Sequence, residues 1–269
     1  MRLASALRGA RARGETIVVP YLMVDRARLP DLARTVRALR EGGATALELG
    51  FPFSDPIADG PVLEAAHEAA LAHGTTWSDL IRAIRITSPV LPTAVMTYAN
   101  PPTHRGLEPA LDELSRAGAT GLIVPDLSLE EARPFARAAR HHGVALVLLA
   151  APGISPERLE RIAKSSRGFL YLVGHYGTTG GAARGASVDL RPFVRTAGRS
   201  APGLPVLIGF GIRDHSSAQK ALRTGADGVV VGSALEEELQ RHPRSVALTR
   251  FLRSISDARR PTLRGKTAD

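Results

Sequence analysis

Residues 44–60 read ATALELGFPFSDPIADG and join a short apolar run to a long polar loop. In the run, Leu47 and Leu49 fall on one face and Glu48 falls on the other, because successive side chains of a β-strand point to opposite faces. A carboxylate in an apolar strand lowers stability unless it is paired, hydrated or functional. The loop that follows is rich in Asp, Pro and Gly, which indicates a shaped loop rather than a tight turn. The stretch therefore predicts a strand that ends at a functional carboxylate.

The same pattern, a short β-rich run followed by a longer helical one, repeats along the chain. The predicted strands are 16–21, 44–49, 93–98, 121–125, 144–149, 168–173, 205–209 and 227–231. The predicted helices are 31–41, 61–73, 108–117, 129–142, 156–165, 189–198, 214–224, 233–240 and 243–259. Regular alternation of this kind implies parallel strands with right-handed crossovers. Eight units in a chain of this length predict an α/β fold, a (β/α)8 TIM barrel with extra short helices, one of them after strand eight.

The chain shows no linker or low-complexity segment, so we expect a single domain over 1–269. Its ends, about 1–13 and 260–269, are expected to be loosely held. Several helices end in a glycine just before the next strand, which predicts left-handed helix caps at those junctions.

Composition excludes several classes of protein. The chain has no Cys, so disulfides, thiolate metal sites and a cysteine nucleophile are ruled out. Much of the net charge of +9 lies in the two ends and aromatic residues make up only 4%, so we do not expect nucleic-acid binding. No apolar run approaches the roughly 18 residues of a membrane-spanning helix, so we expect no membrane insertion and a cytoplasmic protein.

Two glycine-containing loops follow the last two predicted strands. Gly209-Phe210-Gly211 closes strand seven, and Gly232-Ser233 opens a short helix after strand eight. Uncovered backbone N–H groups and a helix N-terminus form an anion site, and barrels bind phosphate at these two loops. The alternative is that the glycines serve tight turns only.

Segment 174–187, GHYGTTGGAARGAS, follows strand six and is long for a connection between a strand and a helix. Its small and polar residues favour a mobile lid over the site. The alternative is a disordered surface loop.

Neither lysine nor histidine occurs in a pattern that predicts another kind of aldolase chemistry. Of the three lysines, Lys164 and Lys220 fall in predicted helices and Lys266 lies in the tail, so a Schiff-base aldolase is not expected. The eight histidines show no metal-binding spacing, so we expect no metal site. What remains is acid–base chemistry by carboxylates on a small phosphorylated molecule.

The stretch LELGFPFSDPIADGP, residues 47–61, resembles the signature of the tryptophan synthase α chain family. The resemblance extends over nearly the whole chain and includes the two phosphate loops in order. It implies cleavage of indole-3-glycerol phosphate to indole and glyceraldehyde 3-phosphate, with neither a metal nor an organic cofactor. It also implies a β subunit as partner, in an α2β2 complex that receives the indole.

The resemblance assigns Glu48 and Asp59 as the catalytic pair. Glu48 would transfer protons, with a pKa raised toward neutrality by partial burial. Asp59 would accept the indole N–H and stabilise the positive charge that develops on the ring. The alternative for Asp59 is a helix cap near Pro61.

The resemblance also assigns supporting and binding roles. Tyr171 would orient Glu48, and Thr179 on the lid would close over the site and contact Asp59. The indole pocket would be lined by Tyr21, Tyr98 and Asn100, with core packing as the alternative for the tyrosines. The phosphate would be bound by Gly180, Gly209, Phe210, Gly211, Gly232 and Ser233.

Two segments depart from the family pattern. Met23-Val24-Asp25-Arg26-Ala27 stands where Thr-x-Gly-Asp-Pro is usual, and the lid segment begins with Gly174-His175-Tyr176 where Ser-x-x is usual. Because the family uses these loops for contact and closure, a stand-alone indole-3-glycerol phosphate lyase is one alternative. A weakly catalytic regulatory partner of a β subunit and a sugar-phosphate isomerase are the others.

Overall fold

The computed structural model describes residues 2–173, 189–241 and 245–258. The predicted lid at 174–187, with Thr179 and Gly180, and the predicted loose C-terminal end lie outside the described residues.

Short parallel strands form one sheet. They are β1 Ile17–Met23, β2 Leu47–Gly50, β3 Thr93–Met96, β4 Ala119–Ile123, β5 Ala145–Val147, β6 Leu149–Ala150, β7 Leu170–Val173, β8 Val206–Gly209 and β9 Gly228–Val231. Their spatial order is β5-β4-β3-β2-β1-β9-β8-β7-β6. The two strands at the ends of this order, β5 and β6, are separated in the chain by a single residue, so the sheet closes on itself as the predicted (β/α)8 barrel.

The fifth predicted strand is divided in two, which is why nine strands are found where eight were predicted. The break falls at Leu148, whose N–H donates to Ser166 Oγ at 3.0 Å instead of extending the ladder. Before the break β5 pairs with β4, and after it β6 pairs with β7, where Leu149 lies opposite Tyr171.

Helices surround the barrel. They are α1 Leu3–Ala12, α2 Leu29–Glu41, α3 Pro61–Ala72, α4 Trp77–Thr87, α5 Asn100–His104, α6 Leu107–Ala117, α7 Ala132–His141, α8 Pro156–Ser165, α9 Arg191–Ser200, α10 His215–Arg223, α11 Ser233–Arg241 and α12 Ser245–Ser256. Nine match predicted helices within a few residues, and α11 is the predicted short helix after the last strand. The predicted list omits α1, α4 and α5.

The expectation of a loosely held N-terminus is wrong. Leu3, Leu7 and Ala10 on one side of α1 are buried, and they belong to the same apolar cluster as Ile17, Val19 and other strand residues. Burial of this apolar stripe fixes the helix against the barrel despite the arginines between its apolar residues.

The predicted glycine caps are confirmed. Four helices that precede a strand, α2, α6, α7 and α10, are each followed by a glycine with a positive φ, the left-handed conformation that residues with a Cβ rarely adopt. These glycines are Gly43, Gly118, Gly143 and Gly225.

The alternation of strand side chains separates two apolar clusters and places Glu48. Along β1, Val18 and Leu22 belong to the cluster under the helices, whereas the odd-numbered residues belong to the interior cluster. Along β2, Leu47 and Leu49 belong to the helix-facing cluster. Glu48 between them is therefore directed into the barrel, as the sequence predicts. No helix in the described part of the chain is both long and apolar enough to cross a membrane.

Leu7→Ala tests whether α1 is an integral part of the barrel. Leu7 is fully buried, so truncation is expected to lower the free energy of unfolding by about 2–5 kcal/mol through lost apolar contact and the resulting cavity. Urea unfolding followed by circular dichroism measures this change. Arg8→Ala, on the exposed side of the same helix, is the control. If the two variants unfold alike, α1 does not contribute to the core.

Candidate active site

Glu48 is a buried carboxyl group that no described residue binds by a hydrogen bond. Its side chain comes from β2, where it lies opposite Tyr21 of β1 and Ala94 of β3. It is 1% exposed, and neither carboxylate oxygen has a hydrogen bond from the described residues. Burial, and to a smaller extent the charge of Asp59, raises the pKa of Glu48 to about 8. At neutral pH the group therefore holds a proton that it can donate.

Asp59 is also buried, but two side chains lie within hydrogen-bond distance of its carboxylate. Tyr98 donates its hydroxyl hydrogen to Asp59 Oδ2 at 2.8 Å, and His67 Nε2 lies 3.1 Å from the same oxygen. Both contacts are made to Oδ2, and no described residue donates to Oδ1. The helix-cap alternative for Asp59 does not hold, because α3 begins after Gly60 and no side-chain cap bond is present there.

The loop that carries Asp59 is attached to these same two donors. The Phe53 N–H donates to His67 Nδ1 at 2.9 Å, and the Ala58 N–H donates to the Tyr98 hydroxyl at 3.0 Å. Each side chain thus accepts a hydrogen bond from the loop backbone and contacts the carboxylate of the same loop. His67 is a site residue that the sequence analysis missed, because a histidine within a predicted helix gives no signal of its own. A signal was available in its position, six residues beyond the start of α3 at Pro61 and on the side of the helix that faces the loop.

Two buried tyrosines fill the space beside the carboxylates. The Tyr21 hydroxyl approaches Gly50 so closely that a Cβ there would lie 2.0 Å from it, and Tyr171 stands in the same relation to Gly209 at 2.2 Å. Burial first, and then the neighbouring carboxylates, raises the pKa of both tyrosines well above its ordinary value. Tyr171 is thus near Glu48, although no hydrogen bond joins them. Its role in orienting Glu48 stays a prediction.

The other predicted pocket residues differ in burial. Tyr98 is buried and its ring stacks on Phe53 with centroids 5.0 Å apart. Burial, followed by the charge of Asp59, raises its pKa, which keeps the hydroxyl protonated as a donor. Asn100 is exposed at the start of α5, and no hydrogen bond to Glu48 or Asp59 is found for it among the described residues.

The predicted phosphate loops lie at the ends of β8 and β9. Phe210 and Gly211 both have φ of 74°, and Phe210 is the one non-glycine residue with a positive φ among those described. Such a conformation costs a residue with a Cβ roughly 1–3 kcal/mol and is typical of functional loops. Gly209 does not have a positive φ. A side chain at this position would collide with the Tyr171 hydroxyl, which explains why the residue is glycine.

The second loop continues into α11. The N–H groups of Leu235 and Glu236 donate to the Gly232 carbonyl, which sets the first turn of the helix. The first N–H groups of a helix have no partner within it, so Ser233 lies at an end suited to an anion.

The loop after β1, which departs from the family pattern, is firmly held. Buried Glu236 of α11 accepts the Met23 N–H at 2.8 Å and pairs with Arg28. Asp25 accepts the Ala27 N–H and lies 2.9 Å from His73 Nδ1. These contacts attach the loop to α11 and to the end of α3.

One group of three potential metal ligands occurs among the described residues. Glu108, His141 and His142 lie on α6 and at the end of α7, on the outside of the barrel. Both histidines are already within hydrogen-bond distance of Glu108, at 3.1 and 2.9 Å. The group is separate from the strand ends that carry Glu48 and Asp59.

The fold and the site define a class of protein: an α/β barrel with two buried carboxyl groups at the carboxyl ends of its strands, an arrangement suited to acid–base chemistry. One carboxyl group is held protonated by burial, and the other is held by two donors. The two glycine loops lie at the end of the barrel where phosphate is bound in this fold.

Comparisons with known proteins identify the family. Residues 7–256 match the sequence profile of the family described as tryptophan synthase alpha chain. A tryptophan synthase alpha chain of Synechocystis is 41% identical over 246 residues, which is 88% of this chain and 90% of the relative. A tryptophan synthase structure from Mycobacterium tuberculosis has a TM-score of 0.85 at 31% identity and covers 96% of this chain and 98% of its own. A structure from Pyrococcus furiosus, described as showing mutual activation in the tryptophan synthase α2β2 complex, has a TM-score of 0.78 at 31% identity over 90% of this chain and 98% of its own. The chain belongs to the tryptophan synthase alpha chain family.

The raised pKa of Glu48 predicts how stability depends on pH. The folded chain holds the Glu48 proton up to about pH 8, whereas the unfolded chain loses it near 4.5, so the stability contributed by this residue falls as pH rises between those values. Glu48→Gln removes the titration. As pH rises across this window, we expect the free energy of unfolding of the variant to increase relative to that of wild type, by up to about 5 kcal/mol.

Urea unfolding at pH 5.5, 7 and 8.5 measures this difference in the free energy of unfolding. Glu68→Gln, exposed on α3, is the control and should show no such trend. A constant difference between Glu48→Gln and wild type at all three pH values would contradict the raised pKa.

Proposed function

We propose that Glu48 and Asp59 cleave indole-3-glycerol phosphate in this chain. The chain is a carbon–carbon lyase of tryptophan biosynthesis, which splits this substrate into indole and glyceraldehyde 3-phosphate. The observation that carries the residue assignment is the contrast between the two buried carboxyl groups. Glu48 has no hydrogen-bond partner in the part of the chain that the structure describes and has a pKa of about 8, whereas Asp59 is bound by two donors.

Glu48 suits both proton transfers of the reaction. Protonated at neutral pH, it first gives its proton to C3 of the indole ring, which makes the ring a cation and weakens the bond to the glycerol chain. The resulting carboxylate then takes the proton of the adjacent glycerol hydroxyl as that bond breaks. The hydroxyl carbon becomes the aldehyde, the bonding electrons return to the ring, and Glu48 ends in its starting state.

Asp59 suits the stabilisation of the cation. Its Oδ2 is occupied by two donors and its Oδ1 has none from the described residues, so Oδ1 would accept the indole N–H. A fixed negative charge in a buried site stabilises a positive charge that develops beside it, because no solvent has to reorganise.

The glycine loops suit the phosphate. Backbone N–H groups after β8 and at the start of α11 would bind its oxygens, with the Ser233 hydroxyl as a further donor. Phosphate at this end would place the indole toward Glu48, Asp59 and the tyrosines.

We propose a β subunit as partner, as in the Pyrococcus complex, and a cytoplasmic location, in keeping with an enzyme of tryptophan biosynthesis. The relatives are named as alpha chains of tryptophan synthase, which favours the subunit function over a stand-alone lyase. The loop after β1, which departs from the family pattern, is attached to α11 by buried contacts. These contacts hold it in a defined conformation, as binding to a partner requires.

Glu48→Gln and Asp59→Asn test the catalytic pair. We expect Glu48→Gln to lower kcat for indole release at least about a hundredfold, because it can neither give nor take the proton. Asp59→Asn should lower kcat by about the same factor through loss of the fixed charge. Indole release from indole-3-glycerol phosphate is followed by chromatography on the purified chain. Exposed Glu64→Gln on α3 should match wild type. Activity of Glu48→Gln within a few-fold of wild type would show that another group transfers the proton.

Association with a β subunit is testable through an exposed apolar residue. Ile57 is 70% exposed in the loop that carries Asp59. A large apolar side chain in that position is suited to burial in an interface. We expect Ile57→Ser to weaken binding to a purified tryptophan synthase β subunit about tenfold or more. Light scattering and titration calorimetry measure the complex. Leu71→Ser, 40% exposed on α3, is the control. Equal binding by both variants would place the interface elsewhere.

A further inference from the structure

His67 contacts the catalytic loop at both of its ring nitrogens, and no step of the cleavage uses it. It lies on α3 and is 3% exposed. Nδ1 lies 2.9 Å from the Phe53 backbone nitrogen, and Nε2 lies 3.1 Å from Asp59 Oδ2.

The Phe53 backbone fixes which nitrogen carries the hydrogen. A backbone N–H can only donate, so Nδ1 must be the unprotonated acceptor. In a neutral imidazole the hydrogen then lies on Nε2, which faces Asp59. A doubly protonated ring would set two N–H donors against each other at Phe53. The geometry therefore selects the neutral ring, with its single hydrogen directed at the carboxylate.

We propose that His67 is a positioning residue for the cleavage reaction, acting as a neutral Nε2–H donor to Asp59. The proposal rests on the proposed function. His67 and Tyr98 together occupy Oδ2, which turns Oδ1 toward the substrate. Since His67 adds no positive charge, Asp59 keeps its full negative charge for the cation that forms on the indole ring. A lysine or arginine in this place would hold Asp59 equally well but would offset that charge.

The loop backbone makes this arrangement specific. Phe53 and Asp59 lie in one loop, and His67 bridges them from the helix that follows. A movement of the loop away from α3 would break both contacts of the ring, so the orientation of Asp59 is coupled to the conformation of the loop.

Two substitutions separate the functions of the two nitrogens. In His67→Asn the side-chain oxygen can take the place of Nδ1 and accept the Phe53 N–H, but the side chain is too short to reach Asp59. In His67→Gln the amide nitrogen can take the place of Nε2 and donate to Asp59, but no acceptor faces Phe53. Glu68→Gln changes the exposed neighbouring residue on the same helix. It is the control for effects of expression and purification on kcat and stability.

We expect His67→Asn to lower kcat for indole release about tenfold or more, as for a lost hydrogen bond to a charged group. KM should change less, because the interaction matters most when the cation forms. His67→Gln should keep kcat within about threefold of wild type. This should hold even if the midpoint of thermal unfolding of His67→Gln is no higher than that of His67→Asn. If His67→Asn keeps wild-type kcat, or if both variants lose activity in step with stability, the positioning role is wrong.

A measurement independent of activity tests the state of the ring. Long-range proton–nitrogen NMR spectra of the ¹⁵N-labelled wild-type protein distinguish a protonated from an unprotonated imidazole nitrogen, and His67→Asn assigns the His67 signals by their loss. We expect the hydrogen on Nε2 alone at pH 7. A hydrogen on Nδ1, or on both nitrogens, overturns the proposal even if the wild-type chain cleaves the substrate. A wild-type chain that releases no indole but shows the Nε2 hydrogen would instead overturn the proposed function and leave the contact with Asp59 established.

Discussion

The burial of the Glu48 carboxyl group is the constraint on which the site depends. Strand alternation directs every second side chain of β2 into the barrel, and at this position the side chain is acidic. A protein interior does not tolerate an ionised carboxylate without partners, so the group retains its proton. The instability that this burial introduces is the same property that makes Glu48 an acid at neutral pH. The large apolar clusters on both faces of the sheet offset that cost.

Hydrogen bonding, more than burial, distinguishes the two carboxyl groups. Glu48 and Asp59 are 1% and 5% exposed, so the two side chains are buried to nearly the same extent. What differs between them is the number of hydrogen-bond donors that the described residues supply. Asp59 is supplied with donors by His67 and Tyr98, and each of these is bound in turn by the loop backbone. Pairs of carboxyl groups with opposite environments are a common way to divide acid and electrostatic roles within one site. Here the loop between β2 and α3 creates the division.

The sequence was sufficient for the features that depend on local pattern. Strand alternation placed Leu47, Leu49 and Glu48 correctly, and the glycine caps followed from the need for a positive φ. It was insufficient where an element depends on distant contacts. The apolar stripe of α1 is short and interrupted by arginines, and it becomes stable only against the barrel. The break at Leu148 depends on a hydroxyl group from Ser166, which the strand pattern does not contain.

The same limit applies to the site. Its carboxylates and glycine loops stand at strand ends, where the barrel topology brings them together. His67 acquires its role from a backbone N–H fourteen residues earlier and a carboxylate eight residues earlier, and this combination exists only once α3 is packed against the loop. Tyr98 was predicted as a pocket wall, and the structure shows that it is also a donor to Asp59. In both cases the polar end of the side chain is directed by a loop whose shape no periodic pattern records. Residues that position a catalytic group are therefore harder to recognise than the group itself, because their chemistry is defined by what they contact.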